Sequence, residues 1–374
     1  MWILVRKFSE GFINLVFLNK VYRILFAKAD ALWGRLYPLR PTLEAMALRP
    51  FELHLELTNL CNADCIFCPY QYQTRKIEFM PDEVFYKAVR DYVYCGGGSV
   101  GLTPIVGDAL IDPKFVERVL YLRSQPSIDR IWVVTNGILL DKHGIAEILN
   151  AGLTSITVST AGFDEAMYTR VYRSNSYQKM KKNVTELVAQ NARLKEPLHL
   201  TLALRPDRPL QEVLKDPDLQ PILAYRPQID FTWAFGTIGG KIKPEELPQA
   251  MKLRSLTIKK ESCVNLYNGP IVLPRGEVMA CSCVAAMDAV SDLGIGNIMK
   301  TPLSDIWKGE QLKQIRASFG TGALNATCSG CDFYRNLDCY RTREGRERAR
   351  INRARHRGEI TFRDKKANAP FVGG

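Results

Sequence analysis

The sequence predicts an α/β fold in which a partial (β/α)6 TIM-like barrel is followed by a smaller C-terminal domain. Strand-like and helix-like segments alternate from residue 51 to about residue 235, which is the pattern of a parallel sheet with helical crossovers. The alternation stops near residue 256, and six of the ten cysteines lie beyond that point. A chain of 374 residues with 46% hydrophobic content is long enough for one large domain and one smaller one.

Six strand-like segments alternate with segments of helical periodicity. The strand-like segments are residues 51–57, 99–102, 130–135, 155–160, 198–204 and 229–235. The helical segments are residues 81–95, 113–124, 141–151, 164–172 with 176–193, and about 209–225. Six such repeats predict a parallel sheet that is open or curled into part of a barrel.

In the first strand-like segment, "FELHLEL" (residues 51–57), apolar and polar side chains alternate. The leucines would pack on helices outside the sheet, while Glu56 and its polar neighbours would line a wet cavity inside it. By the same parity, His199 and Arg205 of the fifth strand would face that cavity. Glu56 and Arg205 are therefore candidate substrate contacts, although polar residues in such a cavity can instead hydrogen-bond one another. Loops at the C-terminal ends of barrel strands carry the chemistry, and Cys61 lies in the first of them.

The two ends of the chain differ in composition from the barrel. Residues 1–48 form an amphipathic helical segment with too many charges for a membrane span or a secretory signal. This segment either lies on an anionic membrane as a peripheral contact or packs on the main domain, and we favour the second. The sequence thus predicts four regions, namely the N-terminal segment (1–48), the barrel (49–255), the cysteine-rich domain (256–340) and a basic C-terminal tail (341–374) that begins as a helix.

The net charge of +12 favours anionic partners such as nucleic acid, a phospholipid surface or a phosphorylated substrate. The basic run at residues 341–358 has no interleaved aromatic residues, so a specific nucleic-acid partner is not expected. The tight spacing of three cysteines argues against disulfides and for metal or redox chemistry inside the cell. The chain is therefore expected to be cytoplasmic, with membrane association through its N-terminal segment left open.

The segment "LTNLCNADCIFCPY" (residues 57–70) places Cys61, Cys65 and Cys68 within eight residues. Thiolates bind zinc, copper(I) or iron–sulfur clusters. A structural zinc site closes with four protein ligands, and none of the four histidines lies near this segment in the sequence. Three thiolates that hold a four-iron cluster leave one iron free to bind another molecule. The spacing favours such a cluster over a zinc site or redox-active cysteines.

The C-x3-C-x2-C spacing after the first strand of a βα array, with Phe67 before the last cysteine, resembles the radical S-adenosylmethionine (SAM) superfamily. The resemblance covers residues 50 to about 340. It implies that Cys61, Cys65 and Cys68 hold a 4Fe-4S cluster whose unique iron chelates the amino and carboxylate groups of SAM. It also implies an external one-electron donor, such as flavodoxin or ferredoxin, and cleavage of SAM to a 5′-deoxyadenosyl radical that abstracts hydrogen from a substrate.

The same resemblance extends to residues that would bind SAM. "TPIVGDAL" stands where the family has a Gly-Gly-Glu motif for the methionyl amine, with Asp one methylene shorter than Glu. "TNG" after the third strand and "VSTAG" on the fourth resemble family segments, although "TNG" alone is equally a strand-ending turn. In "YRSNSY" the arginine falls where the family has a basic residue near the methionyl carboxylate. The implied SAM-binding residues are Phe67, Gly107, Asp108, Asn136, Ser159 and Arg173.

The second group of cysteines begins with "CVNLYNGPIVLPRGEVMAC" (residues 263–281). Two short strand-like runs around "RG" predict a hairpin that brings its two cysteines to one end, and "CSGC" adds a C-x2-C pair. Four such thiols suit a zinc ribbon or an iron–sulfur cluster. The predicted ligands are Cys263, Cys281, Cys328 and Cys331.

This second pattern resembles SPASM and twitch domains, the C-terminal extensions of radical SAM enzymes that carry auxiliary iron–sulfur clusters. A two-cluster SPASM pattern needs further cysteines where this chain has Leu337 and Arg341. The resemblance therefore implies one auxiliary 4Fe-4S cluster, as in the twitch type, with Cys283 and Cys339 as spare thiols that could replace a ligand. Cys95 is expected to be an inert buried thiol.

The resemblance implies a radical SAM enzyme. Four thiolates leave the auxiliary cluster no open iron, so it would accept an electron rather than bind substrate. This predicts an oxidoreductase of dehydrogenase type that carries out a net two-electron oxidation of a small polyol, amino-cyclitol or sugar-type substrate. The alternative is a maturase that crosslinks, epimerises or decarboxylates a ribosomal peptide. A nucleic-acid-binding protein with structural metal ribbons is the least favoured hypothesis.

Overall fold

One sheet of nine strands forms the centre of the protein. The structure is a computed structural model that describes residues 38–283 and 287–359, together with residues 32, 34 and 36. The strands are β1 (Glu52–Leu55), β2 (Gly98–Gly101), β3 (Ile128–Thr135), β4 (Ser155–Thr160), β5 (His199–Leu204), β6 (Gln228–Phe231), β7 (Ala234–Phe235), β8 (Lys252–Leu253), β9 (Ile271–Val272), β10 (Glu277–Met279) and β11 (Gly294–Asn297). Their order in the sheet is β11-β10-β9-β1-β2-β3-β4-β5-β6, and β7 pairs with β8 in a separate two-stranded sheet.

Helices connect the strands and cover the sheet. The α-helices are α1 (Arg40–Ala47), α2 (Asp82–Tyr94), α3 (Phe115–Ser124), α4 (Ile145–Asn150), α5 (Glu165–Tyr172), α6 (Tyr177–Arg193), α7 (Leu210–Val213), α8 (Gln220–Leu223), α9 (Asn265–Asn268), α10 (Val290–Leu293), α11 (Leu303–Lys308), α12 (Glu310–Ala317), α13 (Ala326–Ser329), α14 (Asp338–Arg341) and α15 (Arg343–His356). Short 3-10 helices cover Pro69–Tyr72, Ala109–Ile111, Leu140–His143 and Pro244–Glu246. In α2, two acidic residues occupy the first turn, where the helix dipole favours negative charge, and one apolar face is buried.

Strands β1 to β6 lie side by side in sequence order, and each pair of neighbours is parallel. Each connection crosses over through helical segments, as parallel pairing requires. The predicted α/β fold, with a parallel sheet and a smaller C-terminal domain, is confirmed. Because the strands are parallel, their C-terminal ends share one edge of the sheet, and the loop that carries the first three cysteines lies at that edge.

Prolines explain two differences from the predicted elements. The helix expected over residues 209–225 is split into α7 and α8 because Pro217 lies between them and lacks a backbone N–H. The strand expected over residues 229–235 ends at Phe231. Its neighbour β5 ends at Leu204, just before Pro206, so the ladder between the two strands cannot continue.

The predicted hairpin of the C-terminal domain is present, and it extends the main sheet. Its strands β9 and β10 are antiparallel, and the turn between them contains Gly276 at φ +85°, a conformation that favours glycine. The outer strand β11 pairs with β10. Strand β9 also pairs with β1 in parallel, with His54 opposite Ile271 and Leu55 opposite Val272. The C-terminal domain is therefore joined to the barrel edge next to the strand that leads into the first cysteine loop.

The helix expected at the start of the basic C-terminal tail is α15, and it is part of the folded body. Its Asn352 is fully buried and donates to the backbone carbonyls of Ala45 (2.9 Å) and Arg49 (3.1 Å). The Arg49 guanidinium, 2% exposed, donates in turn to the Asn352 side-chain oxygen at 2.8 Å and to the backbone carbonyl oxygens of Cys95 and Gly97. These contacts close the end of the sheet opposite the cysteine loop.

The amphipathic segment predicted over residues 1–48 lies mostly outside the described residues. Its described part includes α1, which packs against α15 through the hydrogen bonds of Asn352. Among the helices in the described part of the chain, none is long and apolar enough to cross a membrane.

Candidate metal centres

The loop after β1 brings the three thiols of the first motif together. The backbone N–H of Cys68 donates to the Cys65 carbonyl at 2.9 Å, in a tight turn. Burial raises the pKa of Cys61 to about 12 and that of Cys68 to about 11, and it raises the pKa of Cys65 well above the usual range. Metal binding requires the thiolate form, so a bound metal centre would offset the cost of burying these sulfurs.

Hydrogen bonds on both sides hold this loop in place. Asp64 and Ile66 donate their backbone N–H groups to carbonyls in the last turn of α5. Asn59 crosses to the returning chain, where its Nδ2 donates to the Lys76 carbonyl at 2.9 Å and its Oδ1 accepts from the Glu78 N–H at 2.9 Å. The positions of the three thiols are therefore fixed by backbone geometry before any metal binds.

The three thiols fit a four-iron cluster. Within the described ranges, no group of three or more His, Cys, Asp or Glu side chains converges as a single metal ion requires. Zinc bound by sulfur needs every ligand at about 2.3 Å from one point. In a four-iron cluster each thiolate binds a different iron, so the thiols need not meet at one point. Three thiols on one loop supply ligands for three irons and leave the fourth available.

Next to this loop, Asp108 is buried and holds the end of β3. Its carboxylate accepts hydrogen bonds from the Leu110 N–H (3.0 Å), the Thr135 hydroxyl (2.9 Å) and the Asn136 N–H (2.8 Å). Burial raises the pKa of Asp108. An ionised carboxylate has about four acceptor positions, so three of them are filled by the protein and about one stays open.

Gly107 and Asn136 bring these segments against the cysteine loop. Gly107 has φ +119°, and a Cβ there would lie 2.9 Å from the carbonyl oxygens of Thr58 and Leu60, so the close approach requires glycine. The Asn136 side-chain amide donates to the Asn62 Oδ1 at 2.6 Å and lies 3.9 Å from the Cys61 sulfur. The "TNG" segment is therefore in contact with the first thiol site.

On the other side of the thiols, Ser159 and Arg205 form a polar group. The Ser159 hydroxyl is 2.8 Å from the Tyr172 hydroxyl, and it accepts a hydrogen bond from the Arg205 guanidinium. That guanidinium lies 5.7 Å from the centroid of the Phe67 ring, and its charge acts against the effect of burial on the pKa of the Cys65 thiol. A cation thus lies beside the thiols at the C-terminal edge of the sheet.

Arg173 lies at the mouth of the same loop. It is the residue after α5, in the left-handed region at φ 46°, and its guanidinium donates to the Gln71 side-chain oxygen at 3.1 Å. It also pairs with Asp64 at 3.4 Å, and both side chains are nearly half exposed. Arg173 is therefore adjacent to the thiol loop and accessible from solvent.

Glu56 is fully buried and already has partners. The Arg75 guanidinium donates to both of its carboxylate oxygens, at 2.5 and 3.1 Å, and the Ile105 N–H donates to it at 3.0 Å. In the structure, Glu56 therefore hydrogen-bonds other protein groups, which is the alternative to a substrate contact. His199 is exposed at the first position of β5 rather than facing a cavity.

The second site is a cavity in the C-terminal domain lined by five cysteines. They are Cys263, Cys281, Cys283, Cys328 and Cys331. Burial raises the pKa of Cys263 to about 11 and that of Cys328 to about 12. A hydrogen bond from Cys283 lowers the pKa of Cys331 to about 7. The four thiols predicted from the sequence are thus brought together with one more.

The sequence pattern left Cys283 as a spare thiol, and in the structure it lines the same cavity as the four predicted ligands. Its backbone N–H lies 3.4 Å from the Cys281 sulfur, and its thiol hydrogen-bonds the sulfurs of Cys281 and Cys331. The C-x-C spacing of residues 281 and 283 was the available signal, since alternate residues of an extended chain that leaves a strand can both reach one cavity. Cys339, in α14, does not line the cavity as the structure has it.

Replacing Cys283 by alanine tests whether its thiol is a ligand of the second cluster or only lies beside the ligands. We expect Cys283→Ala to retain about four irons in the second site, because four other thiols suffice for a four-iron cluster. Cys331→Ala should lose most of that iron, because it removes one of the four predicted ligands. Iron analysis and Mössbauer spectra of anaerobically reconstituted protein measure both. Loss of iron in Cys283→Ala equal to that in Cys331→Ala would show instead that Cys283 is a ligand.

Comparisons with known proteins agree with this geometry. The family model of the radical SAM superfamily matches residues 55–201, and that of an iron–sulfur cluster-binding domain, SPASM, matches residues 263–332. The GTP 3′,8-cyclase of Vibrio cholerae is 29% identical over 134 residues, and that of Chlorobaculum tepidum is 24% identical over 140 residues. These matches cover 35% and 37% of this chain, and 39% and 41% of the relatives' own length.

Solved structures share the fold at low sequence identity. BtrN in complex with AdoMet and 2-DOIA matches with a TM-score of 0.51 at 16% identity, covering 75% of this chain and 92% of that one. SuiB of Streptococcus suis bound to the precursor peptide SuiA matches with a TM-score of 0.54 at 13% identity, covering 78% and 76%. AdoMet-bound anSMEcpe matches with a TM-score of 0.51 at 14% identity, covering 79% and 89%.

The two family models together span more than half of the chain, and they include the cysteines of the two thiol sites. The cofactors predicted from the sequence are confirmed at the level of these domains, since they imply 4Fe-4S clusters and SAM. This chain therefore belongs to the radical SAM superfamily and carries a C-terminal iron–sulfur cluster-binding domain of the SPASM type.

Proposed function

We propose that this chain is a radical SAM oxidoreductase that carries out a net two-electron oxidation of a small polyol, amino-cyclitol or sugar-type molecule. The observation that supports this most is the difference between the two thiol sites. The first offers three thiols on one loop, whereas the second offers five around a cavity. A four-iron cluster in the first site keeps an open iron, and one in the second can be ligated by protein at every iron.

The residues around the first site can bind and orient SAM. When bound, SAM and the cluster supply a 5′-deoxyadenosyl radical that abstracts hydrogen from unactivated carbon. The open acceptor position of Asp108 suits the methionyl ammonium. The guanidinium groups of Arg173 and Arg205 suit a carboxylate, which they can bind through two parallel hydrogen bonds. Ser159 and Asn136 lie beside them and can complete the polar contacts.

The second site suits electron acceptance. Its thiols outnumber the corners of one four-iron cluster, so we assign the roles of ligands to Cys263, Cys281, Cys328 and Cys331. A cluster with a full set of protein ligands has no position for a substrate. Oxidation that begins with loss of a hydrogen atom needs an acceptor for the second electron and a base for the proton, and such a cluster is a suitable electron acceptor.

A small substrate agrees with the extent of the structural match. This chain covers 92% of BtrN, which was crystallised with the small molecule 2-DOIA, and 76% of SuiB, which was crystallised with a precursor peptide. The second candidate function, maturation of a ribosomal peptide, is favoured by the SuiB match and by the match to anSMEcpe with bound AdoMet and Cp18Cys peptide, which covers 88% of that chain. We place it second because BtrN is covered to 92%, more than either of the two peptide-bound structures.

Anaerobic reconstitution followed by turnover tests the proposal. We expect about eight irons per chain, and we expect dithionite with SAM to release 5′-deoxyadenosine and methionine. With a panel of deuterated polyols, amino-cyclitols and sugars, the true substrate should stimulate 5′-deoxyadenosine release and transfer deuterium into it, one equivalent per molecule oxidised.

Two outcomes would contradict this function. Tightly bound zinc and no brown chromophore under strict anaerobiosis would exclude a radical SAM reaction. Deuterium transfer from a peptide, without any from the small molecules, would favour the maturase.

A further inference from the structure

A short segment after β7 is clamped by the residues that follow Cys331. The Asp332 carboxylate accepts hydrogen bonds from the Thr237 hydroxyl, at 2.7 Å, and from the Thr237 backbone N–H. Gly236 packs closely against the Phe333 ring, and a Cβ at this position would lie only 2.0 Å from a ring carbon. Thr237 and Asp332 are 95 positions apart in the chain, so this contact joins distant segments.

Each side of this contact is attached to one of the thiol sites. Phe235, the last residue of β7, stacks on Phe67 with ring centroids 4.8 Å apart, and Phe67 precedes Cys68. On the other side, Phe333 lines the cavity of five thiols, and its backbone N–H hydrogen-bonds the Cys331 sulfur. The contact is therefore the middle of a continuous path of packed residues from the first thiol site to the second.

Asp332 is placed unusually for a carboxylate. It is 7% exposed, and a single oxygen, Oδ2, accepts both hydrogen bonds from Thr237. Its other oxygen, Oδ1, is buried and has no hydrogen-bond partner among the residues that the structure describes. Burial of a carboxylate with one unpaired oxygen is unfavourable. We therefore expect the two hydrogen bonds to Oδ2 to have a structural role.

We propose that Gly236, Thr237, Asp332 and Phe333 form a joint that fixes the separation of the two cluster sites, with Asp332 as a positioning residue that acts as a hydrogen-bond acceptor rather than through its charge. This proposal rests on the proposed function insofar as both sites hold clusters. The joint complements the pairing of β9 with β1, which attaches the C-terminal domain at the other side of the first cysteine loop. Together with that pairing and with side-chain contacts such as Arg275 with Glu78, the joint restricts the rotation that a single attachment would allow.

Two substitutions at Asp332 separate the hydrogen bonds from the charge. Asn keeps a carbonyl oxygen that can accept both bonds from Thr237, whereas Ala removes the acceptor. In reconstituted holoprotein, we expect Asp332→Ala to accelerate amide exchange of the Thr237 N–H at least about tenfold, since loss of these bonds favours local opening. Asp332→Asn should stay within about twofold of the native chain. Pulsed EPR of the two reduced clusters should show a broadened dipolar interaction in Asp332→Ala only.

Steric substitutions at the other half of the joint provide an independent test. Gly236→Ala should disturb the dipolar interaction as Asp332→Ala does, because its methyl group overlaps the Phe333 ring. Adding Phe333→Ala removes the larger overlap, although the methyl group would still lie 2.8 Å from Asp332 Oδ1, and it should shift the dipolar spectrum back toward the native one. Phe333→Ala alone serves as the control for loss of the ring.

The proposal is overturned if Asp332→Ala speeds amide exchange while the cluster separation stays native, or if Asp332→Asn fails as Asp332→Ala does. It is also overturned if Gly236→Ala leaves the separation unchanged. Neither measurement requires turnover of a substrate, and amide exchange does not require the clusters. Failure of the proposed oxidation would therefore leave these results interpretable.

Discussion

Replacing any one of Cys61, Cys65 or Cys68 by alanine should abolish the release of 5′-deoxyadenosine. Each thiol would ligate one iron of the first cluster, and the loop that carries them offers no spare cysteine. The three thiols are held by the backbone of one tight loop, so a thiol from elsewhere cannot replace a lost one without breaking those hydrogen bonds. The measurement is chromatography of anaerobic reactions that contain dithionite and SAM.

The second site serves as an internal control for this result. Iron should fall from about eight to about four per chain, and the EPR signal of the remaining reduced cluster should match that of the native second site. Cys95→Ala is the matched control, because Cys95 is a half-buried thiol in the turn after α2, opposite the cysteine loop. Retention of SAM cleavage in any of the three variants would show that the first motif does not hold the catalytic cluster.

The first motif and the parallel sheet could be predicted from the sequence because both depend on local patterns. Period-two and helical periodicities identify strands and helices, and the short spacing of Cys61, Cys65 and Cys68 constrains them to one loop. The hairpin around Gly276 was also local, since a turn between two apolar runs specifies it. In each case, the residues that determine the feature are neighbours in the chain.

The features that the sequence left open depend on how segments of the folded chain meet. Glu56 alternates with leucines as a cavity residue would, and its partner Arg75 comes from the returning chain after the cysteine loop. The joint between Thr237 and Asp332 likewise joins two domains and has no sequence signature. Cys283 lies in the second thiol group because of the path that the chain takes after β10, and the cysteine spacing does not determine that path. The alternation of polar and apolar residues along a strand assigns each side chain to one face of the sheet, but it does not identify the groups that the side chain contacts.

The two thiol sites are connected through the sheet as well as through the joint. Strand β1 leads directly into the first cysteine loop, and its neighbour β9 belongs to the hairpin that ends at Cys281. A parallel ladder fixes the register of β1 and β9. The segments that lead to the two thiol sites therefore start at fixed positions relative to each other. The arrangement gives both sites a common rigid reference.

Arg75→Ala should destabilise the protein by about 3–5 kcal/mol, the second large effect that we expect. The Glu56 carboxylate is fully buried, and the substitution leaves it with the Ile105 N–H as its remaining hydrogen-bond donor. A buried charge that loses its partner costs far more than the ion pair contributes. Because Arg75 lies on the returning chain after the cysteine loop, the loop itself should loosen, and iron uptake at the first site should fall. Anaerobic urea unfolding and iron analysis measure the two effects.

The neighbouring Lys76 provides a matched control, since its side chain is 77% exposed and its ion pair with Glu78 spans 3.9 Å. Lys76→Ala should change stability by less than about 1 kcal/mol, as is usual for exposed pairs. The double variant Glu56→Gln with Arg75→Met should recover most of the loss, because the Gln carbonyl still accepts from Ile105 and no charge is left buried. A double variant as unstable as Arg75→Ala would show that the guanidinium stabilises the loop by contacts other than its pairing with Glu56.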